Sequence, residues 1–160
     1  MKNRKIYLVL GVILCLFLVP AAAQAADDLS QPSGLTAAEY EEIMPEALKG
    51  YGGQIYDAEQ KYDINGIFLL AVIRLESGNG ESGLTKSKNN VAGNKGNSGY
   101  MSFETLSDGI EYAAQNLGEN YIAEDGKYYR GGAIGDIERI YCPGGGWASQ
   151  VKSLMAEYDI

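Results

Sequence analysis

One acid in this 160-residue chain stands where it could hold a proton, and that is Glu76, which closes a stretch beginning with the apolar residues Ile67 to Ile73. So long an apolar run is too hydrophobic for a surface helix. It predicts a helix buried on nearly every side and ended by Gly78 and Gly80. Glu76 then falls in the last turn of a core helix. Desolvation there disfavours the carboxylate, and so do the unpaired carbonyls of a helix C-terminus. A carboxyl so placed keeps its proton near neutral pH, as a general acid must. The competing reading is a surface acid paired with Arg74, because charged side chains are seldom buried alone.

The elements that must position this acid follow from spacing. Thr36 and Glu39 have the capping-box interval, which opens a helix running toward Pro45. Tyr51, Ile55, Ala58 and Tyr62 recur at helical spacing, and Asp63 to Gly66 is a turn whose Asn65 can cap the core helix. From Asn79 to Gly99 the chain is rich in Gly, Asn, Ser and Lys and reads as a loop. Asn89 and Asn90 either brace that loop or meet a polar ligand, with bracing preferred. Lys95 reads as a solvated charge unless it meets an anionic group. Thr105 and Asp108 repeat the capping interval ahead of Leu106, Ile110, Ala113, Leu117 and Tyr121, one face of a long helix. Ile134, Ile137 and Tyr141 fit a short helix, and Trp147, Val151, Leu154 and Tyr158 a final one. The expected fold is mainly α, a helical domain around a buried central helix.

The first 25 residues read as a secretory signal, with Lys2, Arg4 and Lys5, an apolar core from Ile6 to Val19, and the A-x-A site Ala23-Gln24-Ala25. The core is short for a bilayer span, so no stable membrane insertion is expected once it is cleaved. Residues 26–35 read as a flexible leader and 36–160 as one domain. The chain carries a net charge of -8, and the remainder without the basic signal is more acidic still, which argues against nucleic acid and anionic lipid as partners. Cys142 alone survives cleavage, so no internal disulfide can form, and packing as a small hydrophobe is its expected role. No residue pattern calls for a metal or an organic cofactor, and a monomer is expected.

The chain contains no histidine. Ser-His-Asp and Cys-His hydrolases, histidine-ligated zinc sites and histidine general bases are excluded by composition. If the chain is an enzyme, carboxylate chemistry is what remains.

Glu76-Ser77-Gly78, Gly80, Ser82, Asn89-Asn90 and Gly93-Asn94-Lys95-Gly96 together resemble the catalytic region of bacterial peptidoglycan-cleaving enzymes with a lysozyme-like fold. The closest pattern is that of the endo-β-N-acetylglucosaminidase family, with the lytic transglycosylases as cousins, and the likeness runs from about Tyr51 to Tyr158. The resemblance implies a secreted, extracellular or wall-bound glycosidase acting on peptidoglycan glycan strands, with Glu76 as the acid. Ser77, Asn90, Tyr100, Tyr121 and Tyr128 are then candidates for binding sugar, the tyrosines because amphipathic rings stack on sugar faces while donating hydrogen bonds.

Glycoside hydrolysis ordinarily takes a second carboxylate. In the family it comes from a small β-lobe inserted after the Asn-Asn and Gly-x-Lys segment. Here only Asn97, Ser98 and Gly99 separate Gly96 from Tyr100, so that lobe is reduced or absent. Glu81 is the first choice among the acids left, ahead of Glu104, Asp108 and Glu111. The alternative is the single-acid route of the lytic transglycosylases, which gives 1,6-anhydromuramyl ends. Two non-enzymatic readings stand beside these, a wall-binding or assembly module that does not cleave and a protein partner or inhibitor in a secretion or conjugation apparatus.

Overall fold

The structure, a computed structural model, describes residues 28–158. The expected signal segment therefore lies outside the described residues. No described helix is long and apolar enough to cross a membrane.

The elements in order are α1 (Ala37–Ile43), a 3-10 turn (Glu46–Leu48), α2 (Gly52–Tyr62), α3 (Gly66–Ser77) and α4 (Gly83–Lys88). They continue with β1 (Lys95–Gly96), β2 (Gly99–Tyr100), α5 (Leu106–Leu117), a π-turn (Gly118–Ile122), α6 (Ile134–Tyr141) and α7 (Trp147–Ala156). The mainly α fold expected from the sequence is the fold observed. Of the β-lobe only a ribbon of two residues per strand remains, antiparallel, with Lys95 opposite Tyr100.

α3 is the axis of the molecule. Phe68 to Ile73 are all 0% exposed, so the middle turns of the helix face protein on every side. Asn65 starts it by accepting a hydrogen bond from the Phe68 amide at 3.0 Å, and Gly78, with φ of 57°, ends it in a left-handed cap. α2, α5 and α7 pack against this axis, and α1 packs against α2. Both expected capping boxes, Thr36 with Glu39 and Thr105 with Asp108, are formed.

Three departures from the sequence reading matter for the site. The stretch Asn79 to Gly99 is not all loop, since Ser82 caps the short α4 by accepting from the Thr85 amide at 3.1 Å. The long helix after Thr105 gives way at Gly118 to a π-turn, which re-aims Tyr121. From Leu29 onward the expected flexible leader is fastened to the domain. Leu29 is 2% exposed, its carbonyl accepts from the Asn65 amide at 2.6 Å, and the Ser33 amide donates to the buried Glu59 carboxylate. One apolar side chain among polar neighbours supplied the anchor, too weak a pattern to read in advance.

The segment between α4 and α5 is held by its asparagines. Asn89 adopts φ of 53° and donates to the carbonyls of Phe103 and Glu104, both at 3.0 Å. α5 passes so close that a Cβ at Gly109 would lie 1.9 Å from the Asn89 carbonyl oxygen, so this crossing needs glycine.

Candidate active site

Glu76 ends α3 half-buried at the floor of an open cleft of about 460 Å³. The walls come from the Ala92 to Lys95 segment, from Tyr100, from Tyr112 and Asn116 on α5, from Tyr121 and Tyr128, and from Tyr141 and Cys142 at the end of α6. Burial pushes the Glu76 carboxyl up from its ordinary value of 4.5, against the Trp147 indole, whose hydrogen bond pulls it down. That bond runs from Nε1 to Oε1 at 2.9 Å. The direction is the one a proton donor needs.

Arg74 does not neutralise Glu76. Its guanidinium turns away from the cleft into a separate groove, 2.8 Å from the Glu157 carboxylate and 2.8 Å from the Asn79 side chain, and it also bonds the Tyr158 hydroxyl. The pairing weighed against the acid reading is therefore taken up elsewhere.

The expected site residues divide into two groups. Tyr100, Tyr121 and Tyr128 line the cleft with Glu76, and Tyr100 is 49% exposed beside Lys95, whose ammonium lies 5.1 Å from its ring centre. Ser77 and Asn90 are buried and committed to the backbone. The Ser77 hydroxyl donates to the Ile73 carbonyl at 2.6 Å and accepts from the Gly80 amide at 2.7 Å, which closes the turn after α3. Asn90 accepts from the Asn94 amide and donates to the carbonyls of Asn94 and Met101, so it braces the cleft wall from behind.

Glu81 is not in the cleft. It is exposed, pairs with Lys86, and lines a separate groove with Arg74, Asn79 and Glu157. The other acids are placed elsewhere too. Asp108 is spent on its capping box, Glu111 pairs with Lys61 and Tyr62 on another face, and Glu104 is exposed outside the cleft. Among the described residues Glu76 is the one carboxylate lining this cleft.

A larger concavity, about 640 Å³, lies between Leu29, Tyr62, Ile122 and Tyr129 and holds none of the expected site residues. Its Asp28 carboxyl is held below the ordinary value by the Ser30 hydroxyl and amide, the wrong direction for a proton donor. The half-buried Glu76 carboxyl, pushed upward by burial, is what marks its cleft as the candidate site.

Sequence reasoning missed several residues here. Trp147 reads as a core position of the last helix, and it is one, at 3% exposed, yet its N–H reaches Glu76. Tyr141 packs at 5.1 Å on Trp147 and at 5.5 Å on Tyr121, which in turn lies 5.1 Å from Tyr128. These four rings form a continuous ladder from the cleft mouth to the acid. Burial and the nearby Glu76 charge push the Tyr141 phenol up, so it stays a neutral donor to the Ala92 carbonyl at 3.2 Å. Asn94 is 92% buried by its 8% exposure, and its Nδ2 has no hydrogen-bond partner. Contacts across many tens of residues leave no trace in local spacing; the lone Trp after a Gly run was the only hint.

Residues 52–160 match the Glucosaminidase family, described as mannosyl-glycoprotein endo-beta-N-acetylglucosaminidase. The chain belongs to the Glucosaminidase family. Two Streptococcus pneumoniae proteins bearing the name endo-beta-N-acetylglucosaminidase, one in each of two strains, are 30% identical to it over 143 residues and 82% of this chain. The chain spans about a fifth of their length, 22% and 20%.

Among solved structures, a catalytic mutant of Staphylococcus aureus autolysin E in complex with the disaccharide NAG-NAM superposes with a TM-score of 0.70. It is 18% identical and matches over 82% of this chain and 69% of that one. The catalytic domain of the autolysin Auto of Listeria monocytogenes gives a TM-score of 0.56 at 21% identity, over 86% and 90% of the two chains. These likenesses establish the lysozyme-like fold for this Glucosaminidase domain.

Proposed function

We propose that this Glucosaminidase domain cleaves β-1,4 glycosidic bonds in the glycan strands of peptidoglycan, outside the cell or in the wall, as a monomer, with Glu76 as the general acid. The observation that carries the reading is a desolvated, unpaired carboxyl at the floor of a cleft walled by tyrosines. A proton passing from Glu76 to the departing glycosidic oxygen breaks the bond to C1 and leaves an oxocarbenium-like centre. The rings of Tyr100, Tyr121 and Tyr128 provide faces for sugars, and Lys95 offers one positive charge to an acidic group such as a muramyl lactyl carboxylate.

Among the described residues the cleft holds no second acid, which favours the single-acid route. There the acetamido oxygen of the substrate bonds to C1 as the leaving oxygen takes the Glu76 proton. Water can then open the intermediate to a reducing end, its spare proton returning to Glu76. If the sugar's own C6 hydroxyl attacks instead, the product is a 1,6-anhydro end. Zymography on purified wall with the wild type and Glu76→Gln tests the acid, and equal clearing by both would refute it. Mass spectrometry of the products separates the two outcomes by the mass of one water.

A further inference from the structure

We propose that Trp147 is a positioning residue that decides which oxygen of Glu76 carries the proton: its indole N–H occupies Oε1, so the neutral carboxyl holds its hydrogen on Oε2, toward the cleft. The inference rests on the reading of Glu76 as the acid and adds to it the atom from which the proton leaves.

An indole nitrogen donates and cannot accept. Nε1 stands 2.9 Å from Oε1, so Oε1 must accept in both protonation states of the carboxyl. A neutral carboxyl has one carbonyl oxygen and one hydroxyl oxygen. Placing the hydrogen on Oε1 would spend the weaker acceptor on the N–H and set two hydrogens near one another. Oε2 is left to carry it, and a Cβ built at Gly93 would lie 4.0 Å from that atom. Gly93 is part of the cleft wall.

Trp147 is held rigidly enough for the task. Its ring meets Phe68 of α3 edge-on at 6.4 Å and Tyr141 at 5.1 Å. Tyr141 in turn donates to the carbonyl of Ala92, the residue before Gly93. One cluster thus fixes both the oxygen and the wall it faces. The other ionisable groups around Glu76 are Lys95, Cys142 and the five tyrosines of the cleft, and none hydrogen-bonds to it.

Trp147 is the chain's single tryptophan, so its indole N–H gives one resonance in an isotope-labelled heteronuclear spectrum. In the wild type that resonance should titrate with the midpoint of the alkaline limb of glycan cleavage, and in Glu76→Gln it should stay flat. Trp147→Phe keeps an aromatic ring, though a smaller one, and loses the donor. It should lower kcat about tenfold, a part of what general acid catalysis supplies, with KM within about twofold. Its alkaline limb should move to higher pH, because a bond that favoured the carboxylate is gone. A merely structural tryptophan would move neither the limb nor the resonance. A pH-independent indole signal in the wild type overturns the proposal, as does a folded Trp147→Phe enzyme with an unmoved limb. If that variant does not fold, the titration in the unaltered protein decides. Failure of the wild type to cleave any glycan would sink the functional reading, while the indole titration still settles the contact.

Discussion

Asn90 and Asn94 clasp each other through two hydrogen bonds, Asn94 amide to Asn90 Oδ1 at 2.9 Å and Asn90 Nδ2 to Asn94 carbonyl at 2.8 Å. A third bond, from Asn90 Nδ2 to the Met101 carbonyl at 3.0 Å, ties this ring to the chain leaving the ribbon. The wall of the cleft is thus built on one buried side chain. Asn90→Ala should destabilise the fold by about 2–4 kcal/mol, since it leaves the Asn94 amide and the Met101 carbonyl without partners, while the Asn94 carbonyl keeps the Met101 amide. Thermal unfolding checks this, and an unchanged Tm would show that the clasp is dispensable.

Asn94 supports an opposite prediction. Replacing an amide whose buried Nδ2 has no partner by an apolar side chain of similar size should not destabilise the free protein and can stabilise it by about 1 kcal/mol. If that amide meets a polar group of the glycan, Asn94→Leu should also weaken binding several-fold. Calorimetric Tm and a pull-down on purified wall, measured together, would show the two effects moving in opposite directions.

The stability of the protein should depend on Glu76 in a pH-dependent way. Folding raises this carboxyl above its ordinary 4.5, so between that value and the folded one the native state keeps a proton that the unfolded chain has released. Stability therefore falls as pH rises through that window, and the loss persists above it. Glu76→Gln cannot ionise and still offers Trp147 an oxygen. Its Tm advantage should be absent well below 4.5 and reach a plateau at alkaline pH, while cleavage falls by roughly a hundredfold or more. A pH series of melting curves on both proteins tests the sign.

Arg74 and Glu81 should matter little to cleavage. Arg74→Met removes an ion pair to the exposed Glu157 and keeps the packing of the stem, so a loss of about 1 kcal/mol and activity within about twofold are expected. Glu81→Gln removes an exposed pair with Lys86 and should also leave activity within about twofold. Dye release from labelled wall measures both; a large fall in either would return that side chain to the mechanism.

The sequence by itself determined the axis of this protein. Seven apolar residues in a row leave a helix no exposed face, and an Asn before them with Gly after them sets its ends, so Glu76 had to emerge at the edge of the core. Such information is local: capping, periodicity and turn chemistry act within a few residues, which is why both capping boxes and the main helices were legible.

What only the tertiary structure decided is who faces whom. Arg74 and Glu76 share the last turn of α3 yet line different grooves, because Trp147 at the start of α7 reaches Glu76 while Glu157, just after α7, reaches Arg74. Glu81 lies near Glu76 in the chain but follows the turn after Gly78 into a different groove. The π-turn that delivers Tyr121 to the cleft is marked by no periodicity. Side-chain partners at a site are chosen by packing between elements far apart in the chain, and spacing along a single strand of sequence carries no record of that choice.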